Sequence, residues 1–139
     1  MTVLCIISCG KAKLPTAAAA HRLYTGGYFK AQLAWARSHY PASSIRILSA
    51  KHGLVKLTDV LHPYDVKMGQ PGSVTAEQIA LQLPRGVRVV TSCGSAYLKR
   101  LRVAAEAQQC TLEVPFDGYP GMGHKAAAMK RATRKGRHV

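Results

Sequence analysis

The chain has 139 residues, of which 47% are hydrophobic and 19% charged. That apolar fraction excludes a disordered polycation, and the length excludes a two-domain machine on the usual ~100–200 residues per domain. Twenty Lys and Arg stand against six Asp and Glu, a formal charge of +14, so the balance points to a polyanionic partner, and no apolar run approaches the ~20 residues of a membrane-spanning helix.

Residues 2–8 are apolar, but no basic stretch precedes them, and Lys11 and Lys13 follow. An export signal has the opposite order, so the segment reads as a first strand buried on both faces. A helix is expected over residues 27–40, where Phe29, Leu33, Trp35, Ala36 and Tyr40 recur near helical spacing. Residues 44–49 form a second candidate strand. Thr75 caps a short helix that Pro84 ends. Residues 86–92 make a third strand, and residues 95–109 a helix with Tyr97, Leu98, Leu101, Ala104 and Ala105 on one face. Residues 110–114 make a fourth strand, stopped by Pro115. A last helix begins near Gly123 and runs into the basic end of the chain.

Strands alternating with helices predict a small single-domain α/β fold of three layers, with a mainly parallel sheet of about four strands. Residues 1–124 would form the α/β domain that carries the site loops, and residues 125–139 a basic C-terminal helix or tail. In such sheets ligands bind beyond the carboxyl ends of the strands. Three of those ends share a pattern: Ser8-Cys9-Gly10-Lys11, Ser49-Ala50-Lys51-His52-Gly53 and Ser92-Cys93-Gly94-Ser95. Each offers a hydroxyl and a glycine where backbone amides can face an anion, and the first two add a cation. This favours a phosphate-bearing ligand held by Ser8, Cys9, Gly10, Lys11, Ser49, Ser92 and Gly94; the plainer alternative is that Ser and Gly simply end strands. The Walker and dinucleotide glycine patterns are absent, and no cofactor is expected.

None of Cys5, Cys9, Cys93 and Cys110 forms a C-x-x-C pair or has zinc-finger spacing to histidine, which suits the cytoplasm. Cys5 and Cys110 read as core. The plainer reading of Cys9 and Cys93 is a small residue in a tight turn. His21, His39 and His138 carry no motif and read as surface residues. No metal site is expected, although Asp65 with His52 and His62 has ligand types that could bind one.

With so few acids, each one is informative. Asp65 follows Pro63-Tyr64 in the segment after the second strand, near Lys51 and His52 in sequence. A carboxylate among cations suits the stabilisation of an oxocarbenium-like sugar, attack on it, or activation of water; bonding the loop backbone or pairing with Lys51 is the alternative. Lys51 and His52 would hold a phosphate or protonate a leaving group. Tyr24 and Tyr64 would stack on a base, with core packing the alternative for Tyr24. The basic clusters are Lys99, Arg100 and Arg102 on the third helix, and Lys125, Lys130, Arg131, Arg134, Lys135 and Arg137 beyond Gly118, where no acid occurs. These are the expected nucleic-acid contacts.

The pieces Ser8-Cys9-Gly10-Lys11-Ala12-Lys13, Leu23-Tyr24-Thr25-Gly26, residues 47–54 (Ile-Leu-Ser-Ala-Lys-His-Gly-Leu) and Pro63-Tyr64-Asp65 resemble a family of small bacterial and phage proteins. It is known mainly as a domain of unknown function related to the YaaA peroxide-stress proteins. The resemblance covers most of the chain, to about Gly123. It implies an α/β fold with the motif loops at one site, and a place in DNA damage and base modification or removal, including glycosylase-like chemistry. The basic end beyond Lys125 is heavier than the family pattern. Together these readings predict a DNA-acting enzyme that cleaves the N-glycosidic bond of a modified or damaged base. The alternatives are a non-catalytic DNA-binding protein and a hydrolase or transferase acting on a free nucleotide.

Overall fold

The structure is a computed structural model and describes residues 2–133. The expected sites Arg134, Lys135 and Arg137, and His138, lie outside the described residues. In chain order the elements are β1 (Val3–Ser8), β2 (Ala18–Ala19), α1 (Ala20–Leu23), α2 (Gly27–His39), a 3-10 turn (Ala42–Ser44), β3 (Ile45–Ser49), β4 (Gly53–Lys56), β5 (Val60–Leu61), α3 (Ala76–Gln82), β6 (Arg88–Thr91), α4 (Ser95–Ala107), β7 (Thr111–Glu113) and α5 (Gly121–Ala132). None of these helices is long and apolar enough to cross a membrane.

One five-stranded sheet runs in the order β4-β3-β1-β6-β7. Its apolar centre, β1, is parallel to β3 and to β6, with Cys5 opposite both Ile45 and Val90. β7 continues the parallel set beside β6. β4 returns antiparallel to β3, with Ser49 opposite Gly53. The fold is therefore α/β with a mainly parallel sheet. The expectation of four strands omitted β4, which closes a reversal only three residues long, residues 50–52. Ser49 Oγ accepts from the amides of Lys51 and His52 at 3.2 and 3.0 Å. Gly53 then takes φ +76°, a left-handed conformation that L side chains rarely adopt, which is why glycine closes the turn. A second, two-stranded sheet pairs β2 with β5 and ties the approach to α2 to the segment after β4.

The helices cover both faces. α2 and α5 pack on each other, and α3 and α4 pack on each other. The chain moves from β1 to β3 through α2, then returns across β1 to β6 through α3. Right-handed crossovers in opposite directions put these two helix pairs on opposite faces. The thick core includes Ile6, Ile7, Ile45, Ile47, Leu48, Val89 and Leu101, all fully buried. α5 straddles the boundary expected near residue 124: Ala128 and Met129 are buried, and His39 Nε2 donates to Ala132 O at 2.7 Å. The reversal of direction at β1 leaves a crevice beyond its carboxyl end, between β3 and β6.

Candidate functional site

The ends of β1 and β6 are locked by one buried side chain. Gln32 of α2 accepts on Oε1 from the Ser8 amide at 2.9 Å, from Ser8 Oγ at 3.2 Å and from Ser92 Oγ at 2.8 Å. Its Nε2 donates to Ser8 O at 3.0 Å. Tyr28 Oη donates to Ser92 O at 2.7 Å. Ser8 and Ser92 were expected on the phosphate side of the site; here their hydroxyls turn inward and are engaged by Gln32. Thr91 Oγ1 likewise donates to Ile6 O at 2.7 Å. The crevice floor is a closed polar network, as burial requires.

The end of β3 carries a second chain of hydroxyls. Both lone pairs of Ser49 Oγ take backbone amides, so its proton points to Tyr64 Oη, 2.7 Å away. Tyr64 Oη in turn lies 2.6 Å from Tyr24 Oη. This contact brings the segment of Pro63, Tyr64 and Asp65 over the carboxyl end of the sheet. Tyr24 is only 2% exposed and packs on Phe29 at 5.2 Å between ring centroids, so it is a core residue and presents no face to a base. Burial, with the nearby Cys9, pushes the Tyr24 phenol up to about 12 and raises Tyr64 further. Both phenols stay protonated at neutral pH and act as hydrogen-bonding groups.

Cys9 lies between these two networks. Its Sγ meets Tyr97 Oη at 3.2 Å and the Ala50 amide at 3.4 Å, and the residue is buried. Cys93 is buried, and its thiol is pushed up to about 12, chiefly by desolvation. Gly94 caps α4.

Lys13 is the cation nearest the centre. Its Nζ stands 4.4 Å from the centroid of the Tyr64 ring and 5.7 Å from that of Tyr24, and donates to Lys11 O at 3.1 Å. Half-burial holds its ammonium below the ordinary lysine value, against the opposing charges of Cys9 and Asp65. Asp65 is exposed, with its charge felt at Lys13. Lys51 and His52 are exposed on the β3–β4 turn. The His52 ring meets Tyr64 edge-on at 5.6 Å. Desolvation and then Lys51 hold its imidazole below 6.5, so it is mostly neutral at pH 7 and not a standing cation.

Beside these groups opens a cleft of ≈ 270 Å³, lined among others by Gly10, Lys11, Val66, Lys67, Met68 and Tyr97. A hollow of similar size, lined by Arg46 and Lys56, lies at the amino end of β3, away from the strand-end loops. Among the described residues no three His, Cys, Asp or Glu side chains converge as metal ligands. On α4, Lys99 and Arg102 are exposed. Arg100 instead turns inward and donates to Ser73 Oγ at 2.8 Å and to Val74 O at 2.7 Å, fastening the segment that precedes α3. On α5, Lys130 and Arg131 are exposed and Lys125 is half-buried.

Sequence reasoning missed Lys13, Gln32, Tyr28 and Tyr97 as parts of this region. Gln32 had a signal: a polar residue three positions after Phe29 and four before Ala36 falls on the buried stripe of α2. Tyr97 was assigned to an apolar face, which left its hydroxyl without a role.

A model of a family described as a family of unknown function (DUF6884) matches residues 4–131. No curated protein and no solved structure matches the chain.

Proposed function

The chain belongs to DUF6884, a family of unknown function, and we propose that this member cleaves the N-glycosidic bond of a modified or damaged base in DNA. The observation that carries the reading is the bond from Ser49 Oγ to Tyr64 Oη. It holds a scarce carboxylate, Asp65, in a chain of charge +14, at the carboxyl end of the sheet beside a half-buried lysine and a cleft. We read base removal in particular from the resemblance of these motifs, in sequence, to YaaA-related domains.

In a stacked duplex the sugar carbon that bears the base is shielded, so the target nucleotide turns out of the helix into the cleft. The carboxylate of Asp65 faces the sugar as positive charge develops at C1′ and directs water to that carbon. Lys11 and Lys51, both exposed, hold the flanking phosphates. The neutral imidazole of His52 donates a hydrogen bond to the departing base. Tyr64, protonated and buttressed by Ser49 and Tyr24, keeps the Asp65 segment in place.

The test is incubation of the full chain with DNA bearing modified or damaged bases, followed by mass spectrometry of the soluble fraction. Release of a free base, absent with unmodified DNA of the same sequence, supports the reading. DNA bound but recovered intact across the panel contradicts it and favours a non-catalytic binder.

A further inference from the structure

We propose that Lys13 is a nucleophile of this site: its amine condenses with the C1′ aldehyde of a base-free deoxyribose to form an imine, and the strand is then cut on the 3′ side. The inference rests on the glycosidic reading above and extends it to a second reaction on the same sugar.

Four observations bear on Lys13, and three of them set it apart from the other lysines. First, its backbone is fixed. The segment after β1 lies antiparallel to the segment after α1 through a bridge between Lys13 and Tyr24, with Leu14 N donating to Leu23 O at 2.8 Å and Thr25 N to Ala12 O at 3.0 Å. Second, its side chain is directed: Nζ rests over the Tyr64 ring at 4.4 Å and bonds Lys11 O. Third, no carboxylate of the described residues pairs with it, since their one ion pair joins Arg88 to Glu113. Its amine is not tied up in a salt bridge. Fourth, it is half-buried, whereas Lys11 and Lys67 of the neighbouring cleft and Lys51 of the β3–β4 turn are exposed. Partial burial favours the neutral amine that nucleophilic attack requires, and the direction of its titration agrees.

The chemistry balances with water alone. The unshared pair on Nζ attacks C1′, and the carbinolamine loses water to give a protonated imine. Asp65, whose charge reaches Lys13, removes a proton from C2′. The pair from that C–H bond forms the C1′–C2′ double bond of an enamine. The C3′–O bond then breaks, and the 3′-phosphate leaves with its electron pair. Water hydrolyses the remaining conjugated imine, releasing an unsaturated aldehyde and restoring the amine. No oxidant or reductant takes part.

The experiment incubates the full chain with a duplex containing one abasic deoxyribose and adds borohydride, which reduces an imine to a stable amine. The expected result is one protein–DNA adduct, mapped by peptide mass to Lys13. Lys13→Arg, which keeps a cation over Tyr64 but cannot form the imine, should lower the adduct yield about tenfold or more. Lys56→Met, at the exposed last position of β4, should leave the yield unchanged. Adducts spread over several lysines, an unchanged yield in Lys13→Arg, or no adduct at all would overturn the proposal. The probe already lacks its base, so the two readings fail separately. Base release without trapping overturns the imine alone. Trapping without base release from any DNA overturns the glycosidic reading and leaves the Lys13 chemistry standing.

Discussion

Gln32 sets the geometry of the crevice floor. It is fully buried and satisfies the Ser8 amide, two serine hydroxyls and the Ser8 carbonyl. Gln32→Ala leaves those groups without partners in a dry environment, where each orphaned group costs roughly 1–3 kcal/mol. The variant should therefore lose about 3 kcal/mol of unfolding free energy in urea titration, a loss out of proportion to the volume removed. Whether a strand-end serine points at ligand or at core is decided by the pleat and by what the covering helix presents. For that reason Ser8 and Ser92 were legible as strand ends but not as partners of Gln32. Ser49 was likewise legible as a strand end and expected to face a ligand; its hydroxyl instead takes the amides of the β3–β4 reversal and meets Tyr64, because β4 pairs back on β3. Lys13 sat in plain view within the first motif, but its place over Tyr64 depends on a contact across 51 positions of sequence, which no local pattern carries.

At the scale of elements the long signals were readable and the short ones were not. The apolar run of β1 and the periodic faces of α2 and α4 fall where expected, and α3 begins at the Thr75 cap, with Gln78 completing the reciprocal pair. β4 spans four residues and draws its pairing from β3. Alone it resembles a loop rich in functional residue types. α5 shows the converse, a basic segment that reads as a tail yet closes one face of the sheet. Met129 is fully buried in it, so Met129→Ala should cost about 2–5 kcal/mol by thermal or urea unfolding. Deleting everything after Lys125 would also strip Ala128 and Met129 from α2. Such a truncation reports on folding as much as on nucleic-acid binding, and charge reversal separates the two more cleanly.

At the scale of the whole molecule, the basic residues of α4 and those of α5 lie on opposite faces of the sheet, because α4 packs with α3 and α5 packs with α2. One straight duplex cannot lie against both helices at once. The cleft beside Tyr97 adjoins a hollow lined by Met68, Lys99 and Arg100, so DNA should approach on the α4 side. Lys99→Glu is therefore expected to weaken DNA binding more than Lys130→Glu, and to reduce the slope of log affinity against log salt by about one per lost phosphate contact. Equal losses from the two variants in a salt titration would contradict this placement. The central claim is that Asp65 acts on a sugar carbon at the carboxyl end of the sheet. Its most direct measurement is single-turnover release of free base from modified DNA by the native chain and by Asp65→Asn. The account predicts release by the native chain and a fall of about 10²-fold or more in the variant, with DNA affinity retained. Base release at an unchanged rate in Asp65→Asn would contradict it.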